Sequence, residues 1–236
     1  MSITILKELQ AKKIAGKKSL VILIDPDKLM LGEIEECVQK VNTIKPNFIF
    51  VGGSTVANNL MDSFVEKLKK HTKIPIVIFP GETGQITNEA NAILFLSLLS
   101  GDNPEYLIHQ QVKAAPILKN MELEVIPTAY ILIEGGKETA VQKISKTKPI
   151  LQKNISKIVD TAIAAEYMGK QLIYLEAGSG AKNSVSTNII KAVAKNVSVP
   201  LIVGGGIRSK EAIEIIYESG ADIVVIGTAF ENGEFH

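Results

Sequence analysis

Residues 200–230 of the chain read PLIVGGGIRSKEAIEIIYESGADIVVIGTAF. Two short and continuously apolar runs, Pro200–Gly204 and Ala221–Gly227, flank a stretch with helical spacing, Lys210–Ser219. A continuous apolar run is typical of a strand buried on both faces of a parallel sheet. The segment therefore predicts a strand–helix–strand unit, and each of its strands ends in glycine, where a chain can turn sharply or approach a ligand closely.

The same rhythm extends upstream. Six further apolar runs precede this unit: Ser19–Asp25, Asn47–Ser54, Ile74–Phe79, Ala92–Leu99, Glu124–Ile133 and Gln171–Glu176. Helical patterns separate most of them: Gly32–Ile44, Asn59–Lys70, Pro104–Leu118, Ile155–Met168 and Asn188–Lys195. Eight such units predict an α/β fold, a (β/α)₈ TIM barrel, with residues 1–236 as a single domain. An open doubly wound sheet is the alternative, and the glycine-rich ends of the last strands favour the barrel.

The predicted barrel is modified in three places. The third strand is followed by PGETGQITNEA (80–90), which is too short and too interrupted by glycine for a full helix, so the third helix should be irregular or missing. Few residues follow the eighth strand, so we expect the eighth helix to be absent, short, or replaced by an N-terminal helix. Ile3, Leu6 and Leu9 have the spacing of that N-terminal helix.

Composition excludes several classes of protein. The 26 basic and 25 acidic residues give a net charge of +1, and there is no Trp, so nucleic acid is not an expected partner. The single cysteine, Cys37, excludes an intrachain disulfide and suits a reducing, cytoplasmic location. No secretory signal is visible, and Ala92–Leu99 is too short to span a bilayer. We expect a soluble protein, for which transient contact with a membrane surface stays open.

Three glycine clusters follow predicted strands six, seven and eight. They are Gly178-Ser179-Gly180, Gly204-Gly205-Gly206 and Gly227-Thr228. The loops after the last two strands of a TIM barrel frequently form a phosphate site, and Ser209 suits the N-cap of the following helix. Tight turns without a ligand are the alternative for any one cluster. Three clusters at one end of the barrel favour phosphate binding.

Acidic side chains at other strand ends suggest further chemistry. Asp25 ends the first strand, where its carboxylate could bind Mg²⁺ or cap the next loop, and Ser54 ends the second strand, where it could share the metal or simply form a turn. Glu176 and Tyr174 lie two residues apart and so on one strand face. They could bind hydroxyls and accept a proton as catalytic residues, or form a structural hydrogen bond. Because no histidine lies at a strand end, a catalytic triad or a zinc site is not expected.

Five segments, in their order along the chain, closely resemble the geranylgeranylglyceryl phosphate synthase family, which includes bacterial heptaprenylglyceryl phosphate synthases. They are LIDPDK (Leu23–Lys28), FVGGS, YLEAGSGA, VGGGIRS and ADIVVIGTAFE. The resemblance implies a modified barrel and a Mg²⁺-dependent prenyltransferase. Its reaction would join a polyprenyl diphosphate, geranylgeranyl diphosphate by preference, to the C3 hydroxyl of sn-glycerol 1-phosphate and release pyrophosphate. A homo-oligomer, dimer or hexamer, is expected.

The same resemblance assigns residues. Asp25 and Ser54 match the metal positions, and Glu176 is the candidate base. The positions matching the glycerol phosphate site are Tyr174, Leu175, Glu176, Ala177, Gly178, Ser179, Gly180, Gly205, Gly206, Gly227 and Thr228. Leu23 stands where some bacterial members carry lysine, which favours the geranylgeranyl branch. Phe79, Phe95 and Tyr130 are candidates to line a prenyl groove. A phosphosugar isomerase or aldolase, or a phosphate-binding barrel without activity, remains as an alternative.

Overall fold

Eight apolar strands form the closed barrel of the computed structural model, which describes residues 4–53 and 60–235. The strands are β1 (Ser19–Ile24), β2 (Phe48–Val51), β3 (Ile76–Ile78), β4 (Ala92–Leu98), β5 (Glu124–Leu132), β6 (Leu172–Glu176), β7 (Leu201–Gly204) and β8 (Ile223–Ile226). All neighbours are parallel, and pairing of Val21 with Val225 closes the ring between β1 and β8. The predicted TIM barrel is confirmed, and the open sheet is excluded.

Alternation along each strand divides the apolar residues into two layers. Phe48, Phe50, Leu94 and Val225 belong to the packed interior of the barrel. Their neighbours, such as Ile49 and Val224, belong to the layer between the strands and the helices. Because both faces of the sheet are covered, the strands read as continuous apolar runs rather than alternating ones.

The outer ring contains helices of unequal length. They are α2 (Ile34–Ile44), α3 (Leu60–His71), α4 (Gln110–Leu118), α5 (Ala140–Ser145), α6 (Ile155–Tyr167), α7 (Thr187–Asn196), α8 (Lys210–Glu218) and the one-turn α9 (Thr228–Glu231). A π-helical turn, Glu105–His109, precedes α4, and a 3₁₀ turn, Leu31–Glu33, precedes α2. In the described part of the chain, no helix has the length and apolar character needed to cross a bilayer.

The helix that would follow β3 in a regular barrel is missing, as predicted. Only a 3₁₀ turn, Thr83–Gln85, lies between β3 and β4. Gln85 is buried there, and its side chain donates a hydrogen bond to the carbonyl of Gly53 (2.9 Å) and accepts one from the N–H of Gly81 (3.0 Å). A buried glutamine therefore holds this link in place of a helix, and the outer ring is left open beside β3 and β4.

The N-terminal helix α1 (Ile5–Ile14) lies across the amino-terminal end of the barrel. The backbone N–H groups of Ile5 and Leu6 donate to the carboxylate of Glu124 at the start of β5, at 2.7 and 3.0 Å. Lys13 forms an ion pair of 2.8 Å with Asp222, just before β8. Helix α1 therefore closes the floor of the barrel and does not replace the short eighth helix.

Candidate functional site

A large cavity opens at the carboxyl ends of the strands. Its polar end contains Asp25, Glu176, Ser179, Gly180, Gly205 and Thr228. Its apolar end contains Phe79, Ile93, Phe95, Leu96, Ala114 and Tyr130. The apolar end extends beside β3 and β4, where the ring of helices lacks a member. The absence of a helix after β3 thus leaves room for an apolar groove continuous with the polar end.

Glu176 and Tyr174 lie at the centre of the cavity. Both side chains project to the same side of β6, as the two-residue spacing predicts, and Glu176 is only 6% exposed. Its carboxylate accepts the N–H of Gly178 at 2.6 Å. Burial raises the pKa of Glu176 to about 7, although the Gly178 N–H and the Tyr174 hydroxyl both oppose that rise. This carboxyl group can therefore exchange a proton near neutral pH.

Three aromatic rings form the boundary between the polar and apolar ends. The ring centroids of Phe79, Tyr130 and Tyr174 lie 5.4 to 5.8 Å apart in pairs. Burial, with the nearby charge of Glu176, raises the pKa of Tyr174 well above its ordinary value. The phenol therefore stays protonated and serves as a hydrogen-bond donor to the carboxylate.

Two glycines at the end of β7, Gly204 and Gly205, make room for this buried pair. Gly205 has a φ of +84°, and a Cβ atom there would lie 2.4 Å from Oε1 of Glu176. At Gly204, a Cβ atom would lie 2.5 Å from the hydroxyl of Tyr174. A side chain at either position would displace the acid or the phenol. Gly204 and Gly205 therefore serve the packing of this buried pair.

The loops after β6 and β8 meet on the other side of Glu176. The hydroxyls of Ser179 and Thr228 are 2.9 Å apart. A Cβ atom on Gly180 would lie 2.9 Å from Nζ of Lys137, which comes from the loop after β5. Hydroxyl groups, glycine backbone and one ammonium thus converge here, which is a favourable arrangement for a phosphate group.

Asp25 directly follows β1, the strand that pairs with β8 in the closed ring. The turn Asp25–Lys28 is closed by the N–H of Lys28 donating to the carbonyl of Asp25 (3.0 Å), and Pro26 fits the second position of that turn. Nζ of Lys28 is 3.4 Å from Oδ2 of Asp25 and 2.9 Å from Oε2 of Glu231. The other oxygen of Glu231 accepts the N–H of Asp25 at 3.2 Å. These three charged groups form one network.

The donor set at Asp25 suits a hard cation. The described residues that line the cavity include five carboxylates and only two basic groups, and none of them is His or Cys. No group of three or more His, Cys, Asp or Glu side chains with metal-binding geometry occurs within residues 4–53 and 60–235. Mg²⁺ needs only one or two carboxylates when substrate phosphates supply further oxygens, so Asp25 fits that ion better than Zn²⁺.

The structure brings most of the predicted site residues together. Asp25, Tyr174, Glu176, Ser179, Gly180, Gly205, Gly206, Gly227 and Thr228 all line the cavity, as do Leu23, Phe79, Phe95 and Tyr130. Leu175 and Ala177 do not, because strand alternation turns their side chains into the layer beneath the helices. Gly178 contributes its N–H to Glu176 instead. Ser54 lies outside the described residues.

Two residues named in the sequence analysis, Cys37 and Ser209, do not line the cavity. Cys37 lies on α2 outside the cavity, and burial raises the pKa of its thiol to about 11, as befits an unreactive cysteine. Ser209 caps α8, its hydroxyl accepting the N–H of Ala212 at 3.2 Å. Arg208 lines the cavity and donates to the carbonyls of Ala181 (2.7 Å) and Gly206 (3.3 Å). It thereby ties the loop after β6 to the loop after β7.

Sequence reasoning missed three charged residues at the site: Lys28, Glu231 and Lys137. Lys28 is inside the quoted LIDPDK motif, so its position three residues after Asp25 was a usable signal for a turn that folds it back. Glu231 ends the quoted ADIVVIGTAFE motif, but nothing in that motif indicates a contact with Asp25, and Lys137 carried no signal because it comes from the loop after β5. Only the closed barrel brings them to Asp25 and Gly180.

Comparison with known proteins agrees with this geometry. The model of the PcrB family matches residues 12–235. A geranylgeranylglyceryl phosphate synthase of Flavobacterium johnsoniae is 53% identical over 95% of this chain and 92% of its own length. One from Pyrococcus abyssi is 39% identical over 92% of this chain and 86% of its own.

A solved structure extends the likeness to three dimensions. The (S)-3-O-geranylgeranylglyceryl phosphate synthase of Thermoplasma acidophilum, in complex with its substrate sn-glycerol-1-phosphate, has a TM-score of 0.92 and 35% identity to this chain. The alignment covers 98% of this chain and 92% of that one. With the family model matching nearly its whole length, the chain belongs to the PcrB family.

Proposed function

We propose that this protein is a prenyltransferase that joins a polyprenyl diphosphate to the C3 hydroxyl of sn-glycerol 1-phosphate. The products are an ether-linked prenylglyceryl phosphate and pyrophosphate. One observation carries the proposal: a single cavity combines a polar end suited to phosphate and hydroxyl groups with an apolar groove. The two substrates need these two environments side by side. The names of the relatives and of the solved homologue support the same reaction.

Glycerol phosphate is assigned to the loops after β6, β7 and β8. Ser179, Thr228 and the backbone around Gly205 and Gly206 would hold the phosphate, with Lys137 beside it. Glu176 would accept a hydrogen bond from a glycerol hydroxyl, and its pKa of about 7 suits it to take up the proton as the ether forms. Tyr174 would keep that carboxylate in position. Fixing the hydroxyl against the allylic carbon lowers the barrier through orientation.

The prenyl diphosphate is assigned to the other half of the cavity. Its chain would lie in the groove lined by Phe79, Phe95 and Tyr130, with the diphosphate near Asp25. Mg²⁺, when bound by Asp25 with Ser54, would offset the negative charge that develops on the leaving pyrophosphate. The excess of carboxylates in the cavity lining supports the need for such a cation, because two phosphorylated substrates add further negative charge.

The alternatives have less support. A Schiff-base aldolase needs a lysine inside the barrel, and none of the eight strands carries one. A binding protein without activity would not need a buried carboxyl group whose pKa is about 7. We therefore place both below the prenyltransferase.

Product formation tests the proposal directly. The protein is incubated with Mg²⁺, labelled sn-glycerol 1-phosphate and prenyl diphosphates of increasing chain length, and the labelled product is extracted into organic solvent. We expect a labelled lipid with geranylgeranyl diphosphate and its absence when EDTA replaces Mg²⁺. No labelled lipid with any chain length would refute the prenyltransferase. Labelled lipid from sn-glycerol 3-phosphate at an equal rate would refute the choice of acceptor.

A cytoplasmic oligomer that meets the membrane only transiently fits this reaction, because the prenyl substrate and the product are both lipids. Exposed apolar side chains such as Val112, Tyr167 and Met168 support association with a second copy or a membrane surface. Light scattering would distinguish a dimer from a hexamer. Flotation with lipid vesicles would measure the membrane contact.

A further inference from the structure

The ion network at Asp25 contains an ammonium group whose role the proposed reaction leaves open. Lys28 lines the cavity, and its side chain is 48% exposed, whereas those of Asp25 and Glu231 are 20% and 15% exposed. The two carboxylates are thus held in the wall, while the lysine is at the rim. A half-exposed lysine on a flexible stem can change partners at little cost.

The charge around the cavity makes Lys28 unusual. Among the described residues that line the cavity, Lys28 and Arg208 are the basic ones. The guanidinium of Arg208 is bonded to two backbone carbonyls beside the glycine loops. Lys28 is therefore the cation in this lining that is adjacent to Asp25, on the side assigned to the diphosphate.

The partners of Lys28 are groups that a divalent cation also prefers. Its ammonium contacts Oδ2 of Asp25 and Oε2 of Glu231, and Glu231 in turn fixes the backbone N–H of Asp25. Of its three N–H donors, two suffice for these contacts, which leaves one for a phosphate oxygen. An ammonium and a metal ion at one carboxylate pair repel each other, so they compete for it.

We propose that Lys28 is a binding residue for the diphosphate group of the prenyl substrate, and that Asp25 and Glu231 hold its ammonium in the metal position until a divalent cation replaces it. This inference rests on the proposed function, because it requires a diphosphate in this half of the cavity. It predicts different effects on the two affinities. Removing the ammonium weakens diphosphate binding, yet it leaves metal binding as tight as before or tighter.

Inorganic pyrophosphate and Mn²⁺ are the probes. Calorimetry measures the affinity for pyrophosphate in the presence of Mg²⁺, and Mn²⁺ titration followed by electron paramagnetic resonance measures the affinity for the metal alone. Both are applied to the full chain, to Lys28→Gln, to Lys28→Arg and to Lys40→Gln. Lys40 is a matched control, because it forms a Lys–Glu ion pair with Glu36 at the exposed surface of α2.

For Lys28→Gln we expect pyrophosphate affinity to fall about 10- to 100-fold, the usual effect of losing a charged hydrogen bond. Mn²⁺ affinity should stay the same or rise. Lys28→Arg should retain most of the pyrophosphate affinity, and Lys40→Gln should match the wild type in both measurements. Thermal unfolding of each variant shows that the fold is intact, and Lys28→Met, which keeps the apolar stem, replaces Lys28→Gln if that variant is unstable.

Three results would overturn the inference. Unchanged pyrophosphate affinity in Lys28→Gln would show that the ammonium does not bind the diphosphate. An equal loss of pyrophosphate and Mn²⁺ affinity would show that Lys28 only organises the carboxylates. A wild type that binds no pyrophosphate would also overturn it, whereas prenyl transfer assayed in the same preparation judges the proposed function separately.

Discussion

The absent side chain of Gly205 makes room for the carboxylate of Glu176: a Cβ atom on Gly205 would lie 2.4 Å from Oε1. The same position would be 2.6 Å from the backbone nitrogen of Gly178, which donates to that oxygen. The motifs YLEAGSG and VGGGIRS therefore form one steric unit across β6 and β7. Because Gly205 has no side chain, the carboxylate of Glu176 can occupy this position.

Substituting Gly205 by alanine should therefore affect both stability and activity. The new methyl group would push Glu176 away from Gly178, and the φ of +84° would be strained for any L side chain. We expect a loss of about 1–3 kcal/mol in the free energy of unfolding and near-complete loss of prenyl transfer. Urea denaturation and the labelled-lipid assay measure the two effects.

Gly32→Ala is the matched control, because nothing lies within 4 Å of its Cβ position and its φ is not positive. That variant should be as stable as the wild type or slightly more so, with unchanged activity. If Gly205→Ala behaved like Gly32→Ala, the packing of Glu176 against this glycine would have no functional weight.

The raised pKa of Glu176 predicts a pH-dependent cost of folding. Its pKa is about 7 in the folded protein and has an ordinary value of 4.5, so the folded state holds a proton that the unfolded state releases above pH 4.5. The contribution of Glu176 to the free energy of unfolding is therefore full below pH 4.5 and falls until pH 7. Between pH 4 and 8 we expect a loss of about 3 kcal/mol.

Glu176→Gln isolates that contribution, since glutamine keeps the shape of the side chain and does not titrate. The difference in unfolding free energy, wild type minus variant, should fall with pH between 4 and 8. A difference that does not change with pH, or that rises with pH, would mean that burial does not raise the pKa of the Glu176 carboxyl group.

The same pKa predicts the pH dependence of turnover. The carboxylate form accepts a proton from the glycerol hydroxyl, so kcat at saturating substrates should rise with pH and level off above about 7. Measuring kcat, rather than kcat/KM, keeps the ionisation of free glycerol phosphate out of the profile. A kcat that is constant from pH 5.5 to 8.5 would remove Glu176 from the role of base.

Most of the barrel could be predicted because its strands are buried on both faces. All eight apolar runs become strands, and their ends differ from the predicted ones by at most three residues. The cavity follows from the rule that the carboxyl ends of parallel strands share one face. Helix α5 was missed although Thr139 and Gln142 form a reciprocal capping box, because six residues are too few to show helical periodicity.

Contacts between distant loops could not be predicted in this way. Glu231 reaches the backbone of Asp25, 206 residues away, only because β8 and β1 close the ring. The alternation that places Tyr174 and Glu176 in the cavity also removes Leu175 and Ala177 from it, and a motif carried over as a continuous segment does not make this distinction. The sequence pattern therefore predicts the strand ends, whereas closure of the barrel determines which side chains come into contact.

Asp25→Ala should separate the two halves of the cavity. Asp25 contacts Lys28 and Glu231 rather than the loops after β6 and β7 that are assigned to glycerol phosphate, so glycerol phosphate binding should largely survive while prenyl transfer is abolished. Calorimetry with sn-glycerol 1-phosphate and the labelled-lipid assay give the two readouts. Asp222→Ala is not a suitable control, because Asp222 pairs with Lys13 at the floor of the barrel. Asp160 is exposed on α6, so Asp160→Ala is the matched control. Equal loss of binding and turnover in Asp25→Ala would refute a separate metal role.

Lys137 offers a test of the phosphate assignment itself. Its ammonium is 2.9 Å from the Cβ position of Gly180, and the side chain is exposed, so it should contribute long-range attraction that salt screens. We expect Lys137→Gln to raise the KM for glycerol phosphate about 2- to 5-fold at low salt, with kcat nearly unchanged, because the contact is the same in the ground and transition states. The increase should shrink at 0.5 M salt.

Lys119→Gln is the matched control. Lys119 is an exposed lysine just beyond the end of α4, so its substitution makes the same charge change elsewhere and should leave KM unaltered. Similar KM values for Lys137→Gln and Lys119→Gln at low salt would place the phosphate away from the loop at Gly180.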